Sequence, residues 1–354
     1  MVLINKGKAT YLFKQFLVGL FCLVMTGEIA ASNPSLFDKM SYQEVLEVTM
    51  EGDFSALKNN RRQGEVRDVA VSFTDADGQL QTWISKTTLR GQFRRMKCTE
   101  MPPLKLNFKK GDLKAAGLAK YDDMKLVTQC MEEGKNKEWI LKEYLAYKVY
   151  NELTEESFRV QLLKITFKDT GTNSTSKQWG FLIEDTAQMR KRIGATKSQI
   201  ERGITSDSLQ LNSFYNMTVF QYMIGNSDWD MNAGRNIKLV MKAGKYIAVP
   251  YDFDFAGIVD ASYAIPNPNY SLTSTKERTY LGFAEDLVNL ESTLTYFQSK
   301  QKIITNLIKK FKLLKGKHRQ EAVSYLNTFF KNIDDIQYRP KKTFVASKIE
   351  AQID

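Results

Sequence analysis

The residues best suited to chemistry are concentrated between Gly225 and Phe255. The segment Gly225 to Asn236 holds Asp228, Asp230 and Asn236, and Tyr251 to Phe255 alternates aromatic rings with Asp252 and Asp254. Acids interleaved with aromatics should be half buried, where an unpaired carboxylate costs several kcal/mol, so Asp252 and Asp254 need a cation or donors close by. Carboxylates and an amide oxygen are hard ligands that suit Mg2+ or Mn2+, with Asn236, Asp252 and Asp254 as the candidate metal set. Asp228 and Asp230 are the candidates for a general base in the loop before them. The chain has one histidine, His318. Zinc sites with several histidines and Ser-His-Asp relays are thereby excluded. No Walker motif and no Gly-x-Gly-x-x-Gly occurs, which disfavours P-loop and dinucleotide chemistry.

The elements around this stretch must bring the acids together. Asn212 to Ile224 has apolar residues at helical spacing and reads as a helix leading into the loop. Ile237–Lys242 and Lys245–Pro250 then read as two strands joined by Ala243-Gly244. A two-residue loop pairs Lys242 with Lys245 and so puts Asn236 opposite Tyr251. Asn236 and Asp252 are thus expected side by side, with an irregularity near Pro250 turning the acid inward.

Upstream, residues 33–64 show apolar residues at helical spacing, and Asp68 to Leu89 reads as a hairpin about Asp77-Gly78. Pro102–Phe108 and Met124–Cys130 read as strands. Trp139–Leu153 reads as a helix with Leu141, Leu145, Val149 and Leu153 on one stripe. Phe158–Asp169 and Gln178–Glu184 read as a strand pair, Met189–Gly203 as a polar amphipathic helix and Leu281–Asp335 as mostly helical.

The opening residues run from Lys6, Lys8 and Lys14 through an apolar run at 16–25 to Ala30 and Ala31, the layout of a secretory signal peptide ending at residue 31. Export to a periplasmic or extracellular place is expected, and no later segment is long and apolar enough to span a membrane. In an oxidising compartment Cys98 and Cys130 are expected to form a disulfide. The 354 residues carry a formal charge of +11. Lysines scattered among acids make an ordinary solvated surface and argue against nucleic-acid binding.

The loop Gly225-Asn-Ser-Asp228, the strand start Asn236-Ile-Lys-Leu and the segment Tyr251-Asp-Phe-Asp254 resemble the motifs of the CotH kinase-like family. Arg90-Gly91 and the stretch Met124 to Leu153 are similar to further parts of that family, and the resemblance covers roughly residues 65–260. It implies an α+β, two-lobed protein-kinase-like fold. The first lobe (32–184) would hold an antiparallel sheet and one helix, and a mainly helical second lobe (185–354) would carry the acidic motif. It also implies ATP with Mg2+ or Mn2+, with Lys105 or Lys125 on the phosphates, Glu143 pairing with that lysine, and Glu184 by the adenine. Asp228 or Asp230 would be the base, and Asn236 and Asp252 metal ligands. The phosphoryl acceptor would be a protein or an envelope polymer. Two other function classes compete: a non-catalytic envelope or surface protein, and a glycosidase using Asp228 and Asp252.

Overall fold

The computed structural model describes residues 33–62, 64–130, 136–200, 203–282 and 287–336. The signal-peptide segment falls outside the described residues. The first half is a barrel. Its strands are β1 (Val45–Gly52), β2 (Val66–Thr74), β3 (Leu80–Leu89), β4 (Leu104–Phe108), β5 (Asp123–Thr128), β6 (Val160–Asp169) and β7 (Ser174–Ile183). They follow the spatial order β1-β2-β3-β4-β5-β7-β6, and the circle closes where β6 meets β1. That pairing is parallel, and every other neighbour in the barrel is antiparallel.

β1 is the strand that changes the architecture. Leu46, Val48 and Met50 point into the barrel core, while Glu47 and Glu51 are exposed. The parallel register sets Glu47 beside Lys164 and Glu51 beside Lys168, at 2.8 and 3.5 Å. Such exposed pairs add little stability, but opposite charges directly across two strands favour this register over its alternatives. The period in β1 is two, and the helical spacing expected over 33–64 survives only in α1 (Leu36–Met40) and α2 (Phe54–Asn59).

The two-lobed kinase-like fold expected from the resemblance is therefore corrected. Its first lobe was to hold an antiparallel sheet and one helix. Instead the sheet closes on itself through a parallel pair, and five α-helices precede residue 185 among the described residues. The remaining three of the five are α3 (Phe93–Lys97), α4 (Lys110–Ala115) and α5 (Asn136–Leu153). Residues from Asn33 onward form one compact unit.

The long helix α5 lies against the outside of β6 and β7 and also meets α7 (Leu211–Ile224) and α8 (Leu287–Lys310). Its neighbours cover it on nearly every side. Leu141, Leu145, Val149 and Leu153 are buried as the stripe predicted, and so are Glu138, Lys142, Glu143 and Tyr147. Polar residues inside a helix so enclosed must find partners: Glu143 finds Arg94, and Tyr147 accepts from the Asp252 N–H. α6 (Thr186–Arg192) and the two-residue β8 (Thr196–Lys197) occupy the stretch read as one helix, and α9 (Gly316–Lys331) follows α8.

β9 (Ile237–Lys242) and β10 (Lys245–Pro250) form the expected hairpin, with Lys242 opposite Lys245 and Ile237 opposite Pro250. The Tyr251 N–H donates to the Asn236 carbonyl at 3.0 Å, so the pairing continues to the predicted partner. The disulfide joins Cys98 to Cys130 as expected.

Where β7 crosses from β5 to β6, Gly180 lies between Thr128 and Leu163. A Cβ there would stand 2.6 Å from the Val127 carbonyl oxygen and 2.8 Å from Ile165. Gly180→Ala is expected to cost about 1–3 kcal/mol in urea denaturation, through overpacking against backbone. Unchanged stability would show that the barrel is looser here than its pairing indicates.

Candidate active site

The site begins where α7 stops. Gly225 caps that helix in the left-handed conformation at φ 67°, which turns the chain into the acidic loop. Buried Asn226 holds the turn: its side-chain oxygen accepts from the Asp228 N–H at 3.0 Å, and its amide donates to Gln221 at 2.9 Å. Asn236 then reaches back across the loop. Its Nδ2 donates to the Asp228 carbonyl at 2.6 Å and to Asp228 Oδ2 at 3.0 Å. The amide nitrogen is spent on Asp228, so Oδ1 is the Asn236 atom left for a cation.

Both Asn236 and Asp252 adopt left-handed backbone, at φ 56° and 67°. For a residue with a Cβ this costs about 1–2 kcal/mol, and such strain persists where the surroundings over-determine it. For Asp252 the determinants are visible. Its N–H donates to the Tyr147 hydroxyl at 2.8 Å, and Oδ1 accepts from Arg94 Nη2 at 2.5 Å. Left-handed backbone directly after Pro250 and Tyr251 is the irregularity that turns Asp252 inward.

Arg94 is the centre of the arrangement. The carboxylates of Glu143, Asp252 and Asp254 have oxygens within 4.8 Å of one another. The guanidinium contacts all three: Nη1 and Nη2 reach Glu143 at 3.1 and 3.3 Å, Nη2 reaches Asp252, and Nε reaches Asp254 at 3.2 Å. Arg94 and Asp254 are each 5% exposed and Glu143 2%, but Asp252 is 24% exposed at the mouth. The charges respond to this gradient. Burial pushes Asp254 well above the usual carboxylate range and raises Glu143, despite the opposing pull of Arg94. Burial acts on Asp252 too, but Arg94 and Arg90 outweigh it and hold the acid below its usual value. Arg94 itself stays charged: burial opposes its charge, and the three acids more than compensate.

A cleft of about 660 Å3 opens over Asp252, lined also by Arg90, Arg94, Asp228, Arg235, Asn236 and Asp254. Asp228 is half buried, and burial raises its carboxyl above the ordinary range while Arg235, 3.5 Å away, pulls it down. The expected neighbours Asp228, Asn236 and Asp252 are thus brought together. Asp230 is not among the lining residues. It pairs with Arg235 in a two-bond bridge and accepts from the Ala233 N–H at 3.0 Å, the work of a turn former.

The cationic side is distributed differently from expectation. Lys125 lies over the Tyr251 ring at 4.3 Å and the Phe158 ring at 5.4 Å. Its pairing with Glu143 is corrected: Glu143 faces Arg94. Lys105, directly across from Lys125 in the sheet, is an exposed partner of Asp123 at 3.1 Å. Glu184 is buried but does not line the cleft. Its oxygens are taken by the Arg159 backbone and side chain and by Arg192, at 2.7, 2.9 and 2.7 Å. Arg90, Arg94, Tyr147 and Tyr263 are the contributors that sequence reasoning missed. Tyr263 donates to Asp254 at 3.2 Å. The Arg90-Gly91 pair carried part of the resemblance, but no local signal marks Arg94.

The donor set fits a hard divalent cation. The Asp252 carboxylate and Asn236 Oδ1 are the oxygens the cleft offers, a number that leaves room for water and phosphate oxygens around Mg2+ or Mn2+. Asp254 belongs to the Arg94 group below.

Burial and the nearby Arg90 lower Lys125 to a pKa of about 7. A lysine whose folded pKa is depressed binds fewer protons folded than unfolded between that value and its unfolded one. Stability therefore rises with pH across that window. Lys125→Met should accordingly be stabilised relative to wild type most below pH 7, with the difference shrinking up to about pH 10. Urea titrations of both proteins at pH 6, 8 and 10 measure it, and a difference independent of pH would contradict the placement of Lys125.

No family model matches the chain, and no curated protein matches it.

Proposed function

We propose that the cleft carries out divalent-cation-dependent phosphoryl transfer from a nucleotide, ATP by the resemblance, outside the cytoplasm. The observation that carries this reading is the convergence of Asp228, Asn236 and Asp252 on one cleft, with two of the three held in strained backbone. The likeness to CotH proteins now rests on this loop, hairpin and acid segment, and not on the fold. Function is argued from the site, since one chemistry recurs on unrelated folds.

In this reading Asp228 accepts the proton of the acceptor hydroxyl as that oxygen bonds to phosphorus and the bond to the leaving phosphate oxygen breaks. Its raised pKa suits a base. Asn236 fixes Asp228 by donating to it, and Asp252 and Asn236 offer oxygens to the cation. A bound Mg2+ or Mn2+ would neutralise phosphate charge and draw the donor into line. Arg90 and Lys125 supply positive charge to the phosphates. The acceptor class is a protein or an envelope polymer. The Cys98–Cys130 bond supports an oxidising compartment.

One observation favours the rival, a non-catalytic protein: the guanidinium of Arg94 already counters the deep acids without any metal. The two readings part on Asp252. Asp252→Asn keeps a side chain that tolerates left-handed backbone and an oxygen for Arg94, and removes only the charge. With Mn2+ and ATP, wild type should melt higher by an amount that grows with ligand, and Asp252→Asn should lose most of that shift. Asp228→Asn should keep the shift but lose label transfer from [γ-32P]ATP, by about 10²–10⁴-fold. If wild type shows no Mn2+- or nucleotide-dependent shift, the non-catalytic reading stands.

A further inference from the structure

Resting on that functional reading, we propose that Arg94 is the positioning residue of the cleft and that the Cys98–Cys130 disulfide is the strut that keeps it in place. Asp252 is presented to a divalent cation only when both are intact.

Asp252 depends on few contacts for its pose. Its carboxylate is 24% exposed, on left-handed backbone, and among the described residues its one side-chain hydrogen bond is to Arg94. That bond holds Oδ1. The planar fork of arginine is what the place requires, because one group touches three carboxylates in different directions. A lysine has the same charge but is a single point donor.

Arg94, however, sits on a helix of five residues, too short to hold itself in water. It is anchored at both ends. At one end, Phe93 packs edge-on against Phe255 at 5.4 Å and beside Tyr263 at 5.8 Å. At the other, Cys98 is the cap residue, its N–H donating to the Arg94 carbonyl at 2.9 Å. Cys98 is covalently tied to Cys130, two residues beyond the end of β5, the strand that carries Lys125. Arg61 adds hydrogen bonds to the Arg95 and Cys98 carbonyls at 3.1 and 2.5 Å. The disulfide thus links the helix of Arg94 to the strand of Lys125.

The test is manganese binding, followed as loss of the free-ion EPR signal, well below the melting temperature of each variant and with folding checked by circular dichroism. The set is wild type, Arg94→Lys, the pair Cys98→Ser with Cys130→Ser, and all three changes together. Arg94→Lys leaves the charge unchanged, yet should weaken manganese binding by about tenfold or more, as loss of a supporting partner of a ligand does. The cysteine pair should weaken it in the same direction. The triple variant should bind no more weakly than Arg94→Lys alone, because both changes act through one pose of Asp252. A merely structural role would lower the melting temperature and leave the manganese Kd untouched. If Arg94→Lys fails to fold, the cysteine pair alone decides by the same readout. Wild-type affinity in the variants, or losses that add fully, would overturn the positioning role while leaving the functional reading intact. Absence of manganese binding in wild type would remove both.

Discussion

One guanidinium among three carboxylates governs this molecule's chemistry. Arg94 sits where Glu143, Asp252 and Asp254 converge, and a buried charge left unpaired there would cost several kcal/mol. One positive charge does not balance three negative ones. The excess is eased by depth: burial favours the protonated forms of Asp254 and Glu143, while Arg94 and Arg90 favour the ionised form of Asp252 at the mouth. Of the three acids, Asp252 is the one whose charge its surroundings support. Without Arg94 all three acids would compete for protons and partners, and no one of them would be singled out.

The scaffold makes that convergence possible by enclosing a helix. β6 and β7 contribute Leu163, Ile165, Phe167 and Leu182 to the barrel core and Leu162, Phe181 and Ile183 to the packing around α5. A helix held on a wall buried from both sides has little freedom to shift. Glu143 and Tyr147 are four residues apart on α5, hence on one face. Glu143 takes Arg94 and Tyr147 takes the Asp252 N–H, so one face of one helix fixes both the cation and the backbone of the acid. The strain at Asp252 is maintained by that rigidity.

What the sequence revealed and concealed follows from the range of the interactions. The hairpin register, the pairing of Asn236 with Tyr251 and the turn at Gly225 are local, governed by two-residue loops and a helix stop, and they were legible. The disulfide was legible from cysteine count and compartment. β1 was misread because its flanks are helical and three apolar residues at period two are a short signal. Barrel closure depends on β1 meeting β6 more than a hundred residues later, which no local pattern announces. Arg94 stands among Arg90, Arg95 and Lys97 and reads as one more surface cation. Only its 49-residue reach to Glu143 and 158-residue reach to Asp252 distinguish it. The choice between Asp228 and Asp230 was likewise unresolvable by spacing. The bridge to Arg235 places Asp230 in the turn.

Arg90 lines the cleft, and Lys125 stands near it. Arg90 and Lys125 are close enough that Arg90 disfavours the charged lysine, and Asp252 opposes that effect. The ring of Tyr251, against which the ammonium lies, also favours the charged form. Two cations in mutual opposition, beside an acid already committed to Arg94, form an arrangement whose repulsion a phosphate would relieve. Binding such an anion would raise the Lys125 pKa and draw in a proton, so anion and proton would bind with positive coupling near neutral pH. Cation binding at Asp252 would act the other way, removing the negative charge that supports Lys125. A metal-bound phosphate satisfies both sides at once: its metal compensates Asp252 and its oxygens compensate Lys125 and Arg90. On the proposed reading the two would therefore bind better together than either alone.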